Sequence, residues 1–519
     1  MSNKSIWEIL KYNYHIILSK KNIGIILALF YFITMLICSL LFHKIEGYGV
    51  GTDFYQNYVP EAKSLLTGKL LIDAFRGPIY PILLSLFQKV LLDYFISGLF
   101  INVLSASLAL WFIFELFTSI FDRAIAFFST IFIMSNPIFV QFTYSNGTDM
   151  LFFLFSYITL YLFLRRGNDI KTIVLLALFT ASAYLIRYNG IFLLSIVPVV
   201  LLLNVWGSNF KKNLLNLGLY VLLFILFISP WCIYTYLNKG DFFYNHNYWN
   251  IAYEYIDRGK MDWDTWLSNL KQYHSIYSII SNNPVQFLIH FISNIFSNYL
   301  KFINLVMGLF VGIFSTAGVI FFIFNHNKNI KQTAYLIISF VFLAIVNLVF
   351  YRDRFYLFLI PTFTVFCIKF LLEINYIKPF NFSSRYIYAT IAIMFYVSLC
   401  WTISYSMRKI NSGPNEILGI RNWFKNNYTN IVADPNIAAG KPHIAYYLGM
   451  KYDNIPISKT YNELYSKLKK ENINYLYLSK KELYRRTNLY YLIDTSKTFQ
   501  GLKAIYYHRN PTYVLYKVN

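Results

Sequence analysis

Charge is scarce in this chain. Asp, Glu, Lys and Arg make up 13% of its residues, about half the share of a soluble globular domain, which excludes an ordinary water-soluble fold for most of its length. Acids are scarcer than bases, 24 against 46, for a net charge of +22. No nucleic-acid motif accompanies that excess. It reads instead as basic loops that orient apolar helices and meet anionic lipid, so nucleic acid is not an expected partner. Cysteine is rare: Cys38, Cys232, Cys367 and Cys400 stand far apart, in or beside apolar runs. That excludes a disulfide framework or a thiolate metal site and leaves core filling. His246, His274 and His290 are scattered without ligand spacing, so no metal site is expected. Gly-rich phosphate loop, Ser-His-Asp signature and CxxC are all missing.

What the chain has is apolar length. It is 57% hydrophobic and 20% aromatic, and runs near 20 residues recur from Ile23 to Met407. Lipid offers no partner to a bare peptide group, so such runs must be helices and the chain an α-helical polytopic membrane protein. The first run, about Ile23–Phe42, follows Lys4, Lys11, Lys20 and Lys21 and lacks a small-residue cleavage site. It is expected to stay as a span with a cytoplasmic N-terminus. Further spans are predicted at 99–120, 124–143, 149–164, 171–187, 190–206, 213–236, 302–324, 332–350, 355–375 and 386–407, about eleven in all. Pro78–Phe95 is also apolar, but Ser85, Gln88, Lys89 and Asp93 draw a polar stripe along it, as on an interfacial helix. Counting it as a span would put the basic loops at Arg123, Arg165–Lys171, Lys211–Lys212, Lys328–Lys331 and Lys378–Arg385 outside, against the positive-inside rule. A second interfacial helix is expected from Pro284, with Gln286, His290, Asn294, Ser297 and Lys301 on its wet side.

Residues 1–407 thus form a membrane domain, and the composition changes after Met407. Helix-like stretches (415–427, 441–448, 460–471) alternate with β-rich ones at Ile431–Ala433, Tyr475–Leu478, Ala504–Tyr507 and Tyr513–Val518. Residues 408–519 are therefore expected to form a soluble, extracytoplasmic α/β domain.

The organising stretch is Gly51 to Pro81, GTDFYQNYVPEAKSLLTGKLLIDAFRGPIYP. Phe54, Tyr55, Tyr58, Ala62, Leu65 and Leu66 recur at helical spacing, and such a helix would lie at the membrane surface with Asp53 at its tip. The other notable charges fall on the same outer face: Arg76, Asp149 in SNGTDMLFF, Arg187 in YLIRYNG, and Arg352, Asp353 and Arg354 in VFYRDRFYLFLIP. Ionisable groups at span mouths invite a functional question. Each also has a structural alternative: helix capping for Asp53 and Asp149, lipid phosphate for Arg187, pairing with Asp353 or headgroups for Arg352 and Arg354, and anchoring for Arg76.

With DFYQNYVPEAKSLLTGK and RGPIYPILLSLF, supported by TDMLFF, IRYNG and RDRFYLFLIP, the chain resembles the polytopic GT-C class glycosyltransferases. The likeness is to the protein O-mannosyltransferase and lipid A aminoarabinose-transferase superfamily and covers nearly the whole chain. It implies a GT-C fold. It also implies transfer of a hexose or pentose from a polyprenyl-phosphate donor to a lipid, glycan or protein acceptor on the extracytoplasmic face, with inversion. By that resemblance Asp53 is the catalytic acid of the first loop and Asp149 a second acid of the site. Arg76 and either Arg352 or Arg354 would meet the donor phosphate, with Tyr55, Tyr58 and Arg187 as further substrate contacts. Two departures stand out. Phe54 occupies the place where many members have a second acid, which removes a paired carboxylate there. Tyr188 follows Arg187 where proline is common. No cofactor is implied, although a divalent metal is left open. A transporter or lipid flippase without glycosyl transfer is the alternative, but no inverted repeat is evident.

Overall fold

The computed structural model describes residues 22–167, 169–257, 266, 273–324, 329–376, 382–427, 435–483, 487–509 and 512–519. Lys4, Lys11, Lys20, Lys21, Lys328, Lys378 and the expected strand Ile431–Ala433 lie outside them. The chain folds as two units. One comprises Met1–Ser39 and Ser64–Met407, the other Leu40–Lys63 and Arg408–Asn519.

The first unit is helical and polytopic. Among the described residues, five helices are long and apolar enough to cross a membrane: Ile23–Phe42, Tyr94–Ile120, Phe210–Lys239, Asp353–Glu373 and Ser384–Asn427. A sixth arises if Arg123–Met134 and Pro137–Tyr144, bent by 62°, count as one span. This corrects the expected number of about eleven. The apolar runs are real, but their helices are interrupted. Pro137 brings no N–H, and the Asn136 side chain takes the N–H groups of Ile138 and Phe139 at 3.0 Å, so a new helix starts there. The helices Ile170–Ile186 and Ile330–Val346 have 17 residues each, and the run around Phe302–Phe324 breaks after a π turn at Met307. Hydropathy detects an apolar run, whereas helix length depends on where backbone hydrogen bonds change register. Ile79–Leu91 forms a separate helix of 13 residues, and Asp93 caps the helix after it, accepting from Ile96 N–H at 2.9 Å.

A second correction concerns Pro284–Lys301. Asn294 and Asn298 are buried, while Val285, Leu288, Phe296 and Leu300 are exposed. Of the side expected to be wet, Gln286, Ser297 and Lys301 are exposed, whereas His290 and Asn294 turn inward, each 3.1 Å from Glu254 Oε1. Asn298 donates to Asn347 Oδ1 at 3.0 Å. Beside lipid the apolar face loses nothing by facing out, whereas a side-chain amide finds partners only in protein.

The second unit is built on a five-stranded sheet: β1 Asn436–Ala439, β2 Lys451–Asn454, β3 Tyr475–Ser479, β4 Leu502–Arg509 and β5 Thr512–Val518, in the order β2-β1-β3-β5-β4. β1 runs parallel to β2 and β3, and β5 antiparallel to β3 and β4. Alternation along β3 feeds two cores. Leu476 and Leu478 pack with Leu464, Leu468 and Val514. Tyr475 and Tyr477 pack with Ile417, Phe424, Ile444 and, from the segment after the first long helix, Ile45.

Candidate active site

Asp149 opens the helix Asp149–Tyr161, where an acid suits the unpaired N–H groups. It is buried, and its partner is Arg187, whose Nη1 donates to Oδ1. Local backbone makes this reach possible. Helix Ile170–Ile186 ends one residue earlier, Arg187 is extended (φ −143°, ψ 125°), and a tighter turn, Tyr188–Ser195, follows.

Arg354 comes from a distant part of the chain, the first turn of the 3-10 segment Asp353–Leu359. That segment is fixed from below by Tyr157, whose hydroxyl donates to the Phe358 carbonyl at 2.9 Å. Asp149, Arg187, Asn189 and Arg354 share one cleft with Phe152, Phe153, Phe342, Phe355, Leu357 and Phe358. One carboxylate and two guanidinium groups leave a net positive charge against an aromatic wall. The guanidinium groups of this lining suit an anion and its rings an apolar group, around a hollow of about 20 Å³. Arg352 is exposed instead, its guanidinium 5.3 Å from the Phe350 ring centroid, and does not line this cleft.

Arg76 sits half-buried in the loop after Leu66, its Nη1 donating to Asp73 Oδ2 at 3.3 Å. The loop is fastened by residues far along the chain. Tyr234 OH donates to Leu70 O at 2.6 Å, His246 N–H to Ala74 O at 2.7 Å, and Asn247 Nδ2 to Phe75 O at 3.0 Å. Gly77 lies so close to the end of helix Ile170–Ile186 that a Cβ would stand 2.0 Å from the Leu185 carbonyl oxygen. Arg76 is thereby tied to the chain two residues before Arg187.

Asp53, Tyr55 and Tyr58 belong to the second unit. Asp53 ends the turn Val50–Asp53 and is partly exposed, and its side chain does not cap the π turn Phe54–Tyr58 that follows. Tyr55 and Tyr58 are buried. Among the described residues no cluster of three or more His, Cys, Asp or Glu could hold a metal ion.

Residues 76–234 match the family described as dolichyl-phosphate-mannose-protein mannosyltransferase, under a third of the chain. No curated protein matches. Among solved structures the chain is similar to ArnT from Cupriavidus metallidurans bound to undecaprenyl phosphate, with 11% identity and a TM-score of 0.58 over 96% of this chain and 98% of that one. It is also similar to the apo oligosaccharyltransferase of Archaeoglobus fulgidus, with 12% identity and a TM-score of 0.57 over 89% and 70%. The oligosaccharyltransferase AglB from Archaeoglobus fulgidus, in complex with an inhibitory peptide and a dolichol-phosphate, gives 14% identity and a TM-score of 0.54 over 95% and 74%. The fold is GT-C-like.

Within this GT-C-like chain, sequence spacing singled out Asp149, Arg187 and Arg354 separately, and the structure brings them into one cleft. Asn189 and the aromatic wall were missed, because nothing marks one Phe among 50. The residues that fasten the Arg76 loop, Tyr234, His246 and Asn247, were missed too. Tyr234 and Leu70 are separated by 164 positions, beyond any local pattern.

Proposed function

We propose that the protein is a membrane glycosyltransferase that moves a sugar from a polyprenyl-phosphate donor to an acceptor on the extracytoplasmic face. The observation that carries this reading is the cleft of Asp149, Arg187 and Arg354 with its phenyl wall. A polyprenyl-phosphate sugar offers the matching halves, an anionic phosphate and an isoprenoid chain. The solved relatives bound to undecaprenyl phosphate and to a dolichol-phosphate support the same donor class.

In this reading Arg354 and Arg76 meet the donor phosphate. Fixed donors of this kind contribute roughly 10²–10³ in rate each. Asp149 holds Arg187 in place and tempers its charge. An acceptor hydroxyl or amine attacks the anomeric carbon from the face opposite the phosphate, and the carbon–oxygen bond to the phosphate breaks. The phosphate leaves with the bonding electrons, and the configuration inverts. Asp53, proposed from the sequence resemblance, takes the acceptor's proton, a step worth roughly 10²–10⁴.

The N-terminus is assigned to the cytoplasm from its lysines. Ile45, just past the first long helix, packs in the core formed by Ile417 and Leu515. That packing supports one side of the membrane for the first loop and the C-terminal domain, which is then the extracytoplasmic side.

The test is turnover in lipid nanodiscs with labelled polyprenyl-phosphate mannose, glucose and aminoarabinose, offered with lipid, glycan and peptide acceptors. The expected result is release of polyprenyl phosphate with label on an acceptor. A flippase would move the lipid across a vesicle bilayer without cleaving it, and that result would overturn the reading.

A further inference from the structure

The segment that carries Asp53 is fastened to the C-terminal sheet domain by buried and half-buried side chains. Tyr48 OH donates to Glu482 Oε1 at 2.9 Å, and Gly440 N–H donates to Oε2 at 2.8 Å. The rings of Tyr48 and Tyr55 stand edge-on to His443, with centroids 4.8 and 4.7 Å away. The Tyr55 hydroxyl accepts the Glu46 N–H at 3.2 Å and lies 3.1 Å from the Tyr447 hydroxyl, which donates to Lys44 O at 3.0 Å. Gly51 completes the hook, since a Cβ there would stand 2.2 Å from the Glu46 Cβ.

These groups are costly to bury. His443 is 0% exposed and Glu482 8%, and removing an acid and an imidazole from water destabilises a small domain unless partners are supplied. The partners here include the loop itself: Tyr48 for Glu482, and the Gly47 carbonyl, 3.4 Å from His443 Nε2. A buried polar network of this kind fixes one geometry, because any other leaves its members unpaired. What it fixes is the backbone on both sides of Asp53, at Tyr48 and at Tyr55, while Asp53 stays partly exposed.

We propose that Tyr48, Tyr55 and Glu482 are positioning residues for the Asp53 carboxylate, so that the C-terminal domain sets the geometry of proton removal. This rests on Asp53 being the base of the proposed transfer. Tyr55, expected from the resemblance to touch substrate, is reassigned by it, since its hydroxyl already serves Glu46 and Tyr447.

The experiment uses the full chain in nanodiscs and labelled undecaprenyl-phosphate mannose as the probe, with hydrogen exchange read alongside. Tyr48→Phe and Glu482→Ala are expected to lower kcat by about tenfold, the scale on which misplacement of a reacting group by a fraction of an ångström acts. The donor KM stays within about twofold, as for an interaction felt only in the transition state. Amide exchange rises across residues 46–56 while β3 and β5 keep their protection, and Glu482→Gln, which still accepts one hydrogen bond, recovers most of the loss. Unchanged kcat in both Tyr48→Phe and Glu482→Ala, beside an inactive Asp53→Asn, would overturn the positioning role alone. Full turnover by Asp53→Asn would overturn the base assignment, and the positioning role with it. If Glu482→Ala fails to fold, Tyr48→Phe, which keeps the ring, decides.

Discussion

The buried Asp149 and the half-buried Arg187 form an ion pair between residues 38 positions apart, each at a helix end. Removing either side chain alone takes from the other its hydrogen-bonded partner. Arg187→Ala is therefore expected to destabilise the membrane unit by about 3–5 kcal/mol, as does removal of one partner of other buried pairs. The double variant Asp149→Asn with Arg187→Gln should lose much less, because no isolated charge remains. Thermal unfolding in one detergent of the wild type, Asp149→Asn, Arg187→Gln and the double variant gives the coupling. Additive losses would show that the pair is not an energetic unit.

The sequence made the candidate charges legible and left their geometry mostly hidden. Asp149, Arg187 and Arg354 attract notice because charge is rare in apolar surroundings, and that signal survives without any knowledge of contacts. The alternation that marked the C-terminal domain located β3 and β5, where apolar and aromatic residues dominate. It passed over β2, whose sequence KYDN is polar because it lies at the sheet edge. Helix Pro284–Lys301 shows the opposite failure. Its period marks one polar side, but period alone does not say which of those residues meet protein: Glu254 and Asn347 draw Asn294 and Asn298 inward, while Gln286, Ser297 and Lys301 stay exposed. The tie between Leu40–Lys63 and the C-terminal domain could not be read at all, since Tyr48 and Glu482 are 434 positions apart.

Two arginines separated by one residue should behave differently. Arg354 lines the charged cleft, and Arg352 is exposed beside Phe350. Arg354→Ala is expected to lower turnover of a polyprenyl-phosphate sugar by roughly 10²–10³, the loss typical of one fixed donor at a developing anion. Arg352→Ala should stay within a few-fold of wild type. Steady-state kinetics of both variants check this, and equal losses would show that Arg352 reaches the donor as well.

Gly77 holds the Arg76 loop against the end of a neighbouring helix. A methyl group there would meet the Leu185 carbonyl oxygen at 2.0 Å and its carbon at 2.5 Å. Backbone cannot swing aside as a flexible side chain does, so the loop itself must move. Gly77→Ala should cost about 1–3 kcal/mol of stability, the usual range for overpacking. It should also raise the donor KM, because Arg76 moves with its backbone. Unfolding and kinetics of the same preparation separate the two effects. A stable protein with unchanged KM would mean that the Arg76 loop shifts without consequence.

The buried acid and imidazole of the C-terminal domain should give its stability a plateau bounded on both sides. Burial pushes the Glu482 carboxyl from 4.5 up to about 8, outweighing the bonds from Tyr48 and Gly440 that pull it down, with Lys441 lowering it further and Glu416 raising it. Burial pushes His443 from 6.5 down to about 3, opposed by hydrogen bonds to the Gly47 and Glu46 backbone and aided by Lys441. Between pH 4.5 and 8 the unfolded chain has lost the Glu482 proton and the folded chain keeps it, so this group lowers stability as pH rises. Between pH 3 and 6.5 the unfolded chain holds a proton on His443 that the folded chain lacks, so this group raises stability as pH rises. From pH 4.5 to 6.5 the two slopes oppose each other. Above 6.5 only the loss from Glu482 remains, about 1.4 kcal/mol per pH unit until pH 8. Hydrogen-exchange protection of β3 and β5 in the full chain, corrected for intrinsic exchange rates, should therefore fall from pH 6.5 to 8. Glu482→Gln should flatten that limb while leaving the fall below pH 4.5, which belongs to His443. If the Gln variant loses protection between pH 6.5 and 8 as the wild type does, Glu482 is not buried as an acid in the folded domain.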